Sequence, residues 1–253
     1  MASSVPILMY HAVHPKSSVI SIKPELFQWQ MGWLFENQYK VISLGSIVED
    51  LVNGDPLPDR AVALTFDDGY ACLFDYALPV VENYGFSATV FLVVNHCGGM
   101  NNWAGQPKSI PSMPMLNWEQ ISEMDRRGVQ FGAHTMNHPR LDQVQPEEIE
   151  WEIKGSKTIL EEKLGHPVMS FAYPYGQKSS SVCELVEREF RVACGTQLGM
   201  VTSSSDPYEL ERIEMFYLQN PRLFRGLSLG WFSSYLSVRR AGRFIASTMF
   251  RRE

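Results

Sequence analysis

Short apolar runs alternate with longer amphipathic stretches through most of this 253-residue chain. The run VPILMY at 5–10 reads as a strand. Residues 24–37 carry Phe27, Met31, Leu34 and Phe35 at helical spacing, with Pro24 where a first helical turn tolerates it. The same alternation continues with strands expected at 39–43, 61–66, 87–94, 129–134, 168–173 and 191–194, and one more at 211–215. Helices are expected between them at 44–52, 70–84, 117–127, 146–164 and 179–190. Gly85, Gly128 and Gly165 stand where helices commonly end. Residues 95–114 form a long Gly/Asn-rich loop, and TSSSDP at 202–207 reads as another.

Repeated strand–helix alternation implies a parallel sheet covered by helices. Seven or eight units in this length favour a closed or nearly closed (β/α) barrel; an open doubly wound sheet is the alternative. Both architectures place their chemistry at the C-terminal ends of strands. That rule makes the polar residues informative. His11 ends the first expected strand, Asp67 and Asp68 the third, His134 the fifth, and Tyr173-Pro174-Tyr175 the sixth. These clusters therefore gather at one edge of the expected sheet.

Composition narrows the classes. A 45% hydrophobic and 20% charged chain of this length buries a core without staples. The net charge of -6 argues against a generic nucleic-acid binder. Cys72, Cys97, Cys183 and Cys194 form no C-x-x-C pair and read as small core residues. The start, MASSVPILMYHAV, lacks a basic segment followed by a long apolar one, so no secretory leader is expected. No apolar run is long enough to span a bilayer. The expected location is the cytoplasm or a membrane surface, with export through a leader outside this sequence as the other route.

The strongest chemical signal is TFDDGY at 65–70 combined with HTMNH at 134–138. Two histidines and a carboxylate suit Zn²⁺ or a similar divalent ion, and three protein ligands leave a position open, as in catalytic sites. The helical zinc-protease motif needs Glu after the first His, but Thr135 follows His134, and Pro139 disfavours a helix through His138. The pair therefore belongs to a strand end and its loop. Two adjacent aspartates can divide labour, one ligating and the other accepting a proton from water. Alone, Asp67-Asp68-Gly69 would be a polar turn and the histidines ordinary loop residues. Their joint placement at strand ends favours a metal site.

These motifs resemble the polysaccharide deacetylases, carbohydrate esterase family 4, which share the NodB homology domain. The resemblance rests on TFDDG at 65–69, H-T-x-x-H at 134–138 and P-Y-G at 174–176, over roughly residues 5–215. It implies a distorted seven-stranded (β/α) barrel and a metal-dependent hydrolase removing N-acetyl groups from an N-acetylated glycan. It further implies Asp67 as catalytic base, one divalent ion, Zn²⁺ being the expected one, on Asp68, His134 and His138, and the Tyr175 backbone N–H as oxyanion donor. The family usually carries an arginine two residues before the motif proline, contacting the catalytic aspartate; here that position is Ala172, and Arg212 is the candidate replacement. The usual C-terminal motif with a catalytic histidine is absent, since no histidine follows His166. PILMYH at 6–11 resembles the circularly permuted branch, which includes poly-β-1,6-N-acetylglucosamine deacetylases and places the acid histidine after the first strand. His11 is the matching residue. His14, His96 and His166 match no motif and read as structural; Tyr10 and Trp103 either line the sugar site or belong to the core.

Three other activities fit parts of this pattern: an O-deacetylase, a deformylase acting on a lipid-linked sugar, and a catalytically inactive carbohydrate-binding module. The domain division expected is a catalytic domain at 1–219 and a basic amphipathic tail at 220–253. The tail holds seven arginines, no lysine and one acid, so it is strongly positive in an otherwise acidic chain. Large apolar residues are interleaved with the arginines. This composition suits either a terminal helix packed on the barrel with solvated arginines, or peripheral contact with a membrane.

Overall fold

A computed structural model describes the backbone of residues 4–250 and the side chains of residues 4–242. The strands are β1 (Ile7–Tyr10), β2 (Ala12–Val13), β3 (Ser21–Ile22), β4 (Lys40–Val41), β5 (Ala61–Phe66), β6 (Thr89–Leu92), β7 (Gln130–Ala133), β8 (Ser170–Ala172), β9 (Val192–Leu198) and β10 (Leu210–Glu214). The principal helices are α1 (Pro24–Glu36), α2 (Leu44–Asn53), α3 (Leu78–Asn83), α4 (Trp118–Arg126), α5 (Pro146–Glu150), α6 (Ser156–Leu164), α7 (Ser180–Glu189), α8 (Pro221–Phe224) and α9 (Phe232–Phe250).

Seven parallel strands close on themselves in the order β1, β5, β6, β7, β8, β9, β10, and β10 returns to β1. The expected barrel is therefore the observed one, and the open sheet is not. The second expected strand shrinks to β4, which pairs with Ala61 and Val62 at the start of β5. β1 takes the same edge of β5 further along, at Ala63 to Phe66. The small β2–β3 pair just after His11 has no counterpart in the hydrophobic pattern, because two-residue strands carry no period.

Alternation along the strands builds two cores. Val62, Leu64 and Phe66 of β5 face the helices, with Phe27, Met31, Leu34 and Ile153. Ala63 faces the barrel interior beside Ile7, Phe91, Ala172, Val192 and Cys194. Phe91 fills so much of that interior that a Cβ on Gly132 would lie 2.6 Å from its ring and 2.5 Å from Ser170 Oγ. Close packing of this kind makes the ring of strands a solid core rather than a pore.

Helix boundaries follow local chemistry. The Ser43 hydroxyl accepts from Ser46 N–H to start α2, and Asn117 and Gln120 form a reciprocal capping box at α4. The helix expected at 146–164 is continuous, but α5 and α6 are joined by a widened turn at Trp151–Gly155. The helix expected from Tyr70 begins instead at Leu73, because Tyr70 and Ala71 are tied to Met115 and Pro114 across the loop. Cys72 and Cys194 are buried as expected, whereas Cys97 and Cys183 are only half-buried; all four are free.

Beyond residue 219 the chain folds back. Phe224, Phe232 and Leu236 are buried in the helix-facing core, and the Phe224 ring lies against Trp29 and Trp33. After Leu236 the described residues of α9 are exposed. Arg243, Arg251 and Arg252, with Phe244, Ile245, Met249 and Phe250 of the expected tail, lie outside the described side chains.

Candidate active site

The carboxyl ends of the strands bring together residues far apart in sequence. β1 delivers His11, β5 delivers Asp67 and Asp68, β7 delivers His134, and the turn after it delivers His138. Four of the six described non-glycine residues with positive φ belong to this rim: Asp68 (71°), Thr135 (68°), His138 (58°) and Tyr175 (58°). Left-handed backbone is costly for such residues, and its concentration here marks a site held by its surroundings. Gly69 completes the Asp-Asp turn with φ 86°, and a Cβ there would sit 2.4 Å from Leu92 Cδ2.

Asp68, His134 and His138 offer one carboxylate oxygen and two ring nitrogens within 4.8 Å of one another, all buried. Asp68 Oδ1 lies 3.6 Å from His134 Nε2 and 3.5 Å from His138 Nε2. Ligands of tetrahedral zinc, each ~2.05 Å from the metal, are separated by ~3.4 Å, so the donor set fits such an ion. Burial lowers the pKa of both histidines, and that of His138 falls well below the ordinary value. Neutral imidazoles are the form that ligates. His134 Nδ1–H donates to the Ala172 carbonyl at 2.7 Å, which turns Nε2 toward Asp68. Ala172 thus serves through its backbone, where the family arginine is missing.

That arginine is replaced from another strand. Arg212 of β10 grips Asp67 with two bonds, Nη1 to Oδ1 at 2.6 Å and Nη2 to Oδ2 at 2.8 Å. Its Nε donates to the Gly195 carbonyl and its guanidinium stands over the Phe91 ring. Arg212 is 1% exposed and Asp67 3%. Burial alone would raise the Asp67 pKa; Arg212, helped by His134 and His11, overturns this and holds it at about 2. Asp68 lacks such a partner, and burial with the neighbouring Asp67 raises its pKa.

His11 follows β1, the strand that pairs with β5 beside Asp67, and its Nδ1 lies 3.9 Å from the Glu214 carboxylate. Burial lowers its pKa, but Glu214, Asp68 and Asp67 together leave it raised. Sequence reasoning did not single out Glu214. Its position two residues after Arg212 on one strand was the available signal.

These groups line a cavity of 380 Å³, walled by Trp103, Gln106 and Ile110 from the long loop and by Tyr175 and Tyr217. Trp103 and Tyr175 flank the His138 ring, each with its centroid 4.6 Å away. The loop is ordered by buried Asn101, which accepts from Met113 N–H and donates to the Pro111 carbonyl and Tyr70 hydroxyl. Trp103 therefore belongs to the site, whereas Tyr10 is core: it is buried and its hydroxyl donates to Gln30. His166 pairs with Asp125 on the surface, and His14 accepts from Lys16 N–H. His96 packs on Trp103. None of these three joins the Asp68, His134 and His138 group. A larger cavity of 680 Å³ lies at the other end of the barrel, against α2 and the starts of β7 to β9, away from all of this chemistry.

The chain is 28% identical to YxkH of Bacillus subtilis, which bears the polysaccharide deacetylase name, over 92% of this chain and 76% of that one. It is 26% identical to the poly-β-1,6-N-acetyl-D-glucosamine N-deacetylase of Staphylococcus epidermidis, over 76% of this chain and 67% of that protein. The Streptococcus pyogenes deacetylase PplD, solved in complex with acetate, superposes with a TM-score of 0.74 at 27% identity, over 85% of this chain and 93% of PplD. The family model described as polysaccharide deacetylase matches residues 54–189, from just before β5 through α7, and so takes in both aspartates, both histidines and the Pro174-Tyr175 turn. This chain belongs to the polysaccharide deacetylase family.

Proposed function

We propose that this protein is a metal-dependent hydrolase removing N-acetyl groups from an N-acetylated sugar or polysaccharide. The observation that carries the reading is the joint geometry of one cavity: a three-residue Asp/His/His group, an arginine-gripped aspartate beside it, and a carboxylate-backed histidine in the same lining. A divalent ion on Asp68, His134 and His138 would supply Lewis-acid polarisation of the acetyl carbonyl and make a water more acidic. Asp67 is the general base, since Arg212 keeps it ionised and aimed. The Tyr175 N–H, in the turn at Pro174–Gly176, is the donor to the developing oxyanion. His11 gives its proton to the departing amine, and acetate is released.

The likeness to the S. epidermidis enzyme supports an N-acetylglucosamine-containing glycan as substrate. His11 favours the amide over an ester, because an amine leaving group needs a proton and an alkoxide depends on one less. A purely carbohydrate-binding module has no use for a solvent-open metal cage with a base beside it.

The test is acetate release from N-acetylated oligosaccharides, with and without chelator, alongside metal content. About one Zn²⁺ per chain is expected, and His134→Ala should abolish both binding and turnover. Full activity in exhaustively chelated protein sinks the proposal.

Peripheral membrane contact through residues 220–253 is part of the proposal. Peripheral contact would use the exposed Leu229, Trp231 and Val238 with the surrounding arginines, since Phe224, Phe232 and Leu236 are committed to the core. It would bring the site to a membrane-proximal glycan.

A further inference from the structure

The turn carrying His138 is tied down by a carboxylate that takes no part in the chemistry above. Residues 135–138 include two left-handed residues, Thr135 and His138, in a run of five that supplies both histidine ligands. Such a backbone persists only where its polar groups are firmly engaged. The carbonyls of Thr135 and Met136 accept from Val94 and Asn95 N–H, and His138 N–H donates to Thr135 Oγ1. The successive N–H groups of Met136 and Asn137 both donate to Glu152 Oε2, at 2.9 and 3.0 Å. The other oxygen, Oε1, accepts from Asn137 Nδ2 at 2.6 Å, while Asn137 Oδ1 accepts from Asn95 Nδ2 at 2.8 Å.

Glu152 reaches this turn from the widened segment Trp151–Gly155 that interrupts the long helix. Inserted turns of this kind recur at functional sites because they redirect one side chain without ending the helix. The side chain is 6% exposed. Among the described residues no lysine or arginine lies within ion-pair distance of it, so its charge is met by the turn's N–H groups. A carboxylate is an acceptor only, and N–H donors to an ionised acceptor make short, strong bonds.

We infer that Glu152 is a positioning residue: it holds the 135–138 turn in the conformation that points His138 Nε2 into the cage, and so sets metal affinity. This rests on the metal-site reading given above. It touches neither substrate nor ion, and its effect passes through the backbone of Met136 and Asn137.

The test compares wild type with Glu152→Ala, Glu152→Gln and a control, Leu160→Ala. Leu160 is fully buried further along the same helix run, and its apolar side chain makes none of the turn's hydrogen bonds. Three quantities are measured: the melting temperature in chelator, Zn²⁺ affinity by competition with a chromophoric chelator, and hydrogen exchange of the Met136 and Asn137 amides in metal-free protein. Loss of an outer-shell partner costs on the order of tenfold to a hundredfold in metal affinity. Glu152→Ala should show a loss of that size with faster exchange at both amides, whereas Leu160→Ala should lose melting temperature and keep its affinity. Glu152→Gln should fall between, because its amide oxygen can accept the two backbone bonds while its NH2 meets Asn137 Nδ2, donor against donor. If Glu152→Ala does not fold, Glu152→Gln carries the same comparison.

Wild-type affinity in the Glu152 variants overturns the inference. So does an affinity loss in Leu160→Ala as large as theirs, which would make the effect one of general stability. A wild-type chain that binds no Zn²⁺ overturns the metal reading instead. Exchange at the two amides then still shows whether Glu152 holds the turn.

Discussion

One guanidinium separates the behaviour of two adjacent carboxylates. Asp67 and Asp68 are buried alike, yet Arg212 drives Asp67 down to about 2 while burial pushes Asp68 up. A depressed carboxyl contributes stability at every pH above the unfolded value, about 4, and loses it as pH falls toward the folded one. Asp67 therefore stays a competent base through any neutral or mildly acidic range. Asp67→Asn should keep the ion and lose roughly two to four orders of magnitude in rate, the usual scale for a general base. Arg212→Met should keep the ion too, but burial would then dominate at Asp67 and raise its pKa. The acid limb of the pH–rate profile should move to higher pH, measured as kcat/KM at saturating metal. An unmoved limb would remove Arg212 from the mechanism. The gathering of His11, Asp67, Asp68 and His134 at one rim was legible because strand ends could be located from the apolar runs. The pairing of Arg212 with Asp67 was anticipated only through the family resemblance, because it joins residues 145 positions apart and no local pattern encodes it.

At the scale of elements, β10 does the work that the family assigns to a different motif. Residues i and i+2 of a strand share a face, and here Arg212 and Glu214 face inward from one strand, to Asp67 and His11 respectively. Its pairing with β9 slips register between Leu210 and Arg212, which the pattern of VACGTQL does not reveal. The long helices and the six-residue β5 were readable from periodicity and flanking turns, since each carries enough residues to define a period. The short strands β2, β3 and β4 were missed or overdrawn for the opposite reason. Element β10 gives a second pH prediction. Glu214 is among the carboxylates that raise the His11 pKa, so Glu214→Gln should lower it. A general acid works only while protonated, so turnover should fail at a lower pH on the alkaline side, at unchanged metal content. His11→Ala should flatten that limb. If Glu214→Gln left the alkaline limb in place, either the pair would be uncoupled or His11 would not be the acid, and the His11→Ala profile would decide which.

At the scale of the whole molecule, the barrel and the C-terminal segment share a core but not a charge. Phe224 and Phe232 are essentially inaccessible, and removing one such ring costs about 3 to 5 kcal/mol, a large part of a domain's stability. A chain ending at Gln219 would expose Trp29 and Trp33 and is therefore a poor instrument for asking what the arginines do. Beyond Leu236 the helix contributes no buried described residue, although Arg239 still rests against the Tyr217 and Tyr235 rings. The informative change is thus Arg240, Arg243, Arg251 and Arg252 to glutamine together, which spares Phe224, Phe232 and Leu236 and removes four positive charges from a chain of net -6. Each arginine near an anionic leaflet contributes on the order of 1 kcal/mol, so four of them would account for about a thousandfold in binding. The unaltered protein should co-sediment with phosphatidylserine-containing vesicles and be released by salt. The quadruple variant should stay in solution with its melting temperature and its turnover of a soluble oligosaccharide unchanged. Equal, salt-insensitive sedimentation of the two would confine the arginines to solvation and leave the reading of the barrel's own site untouched.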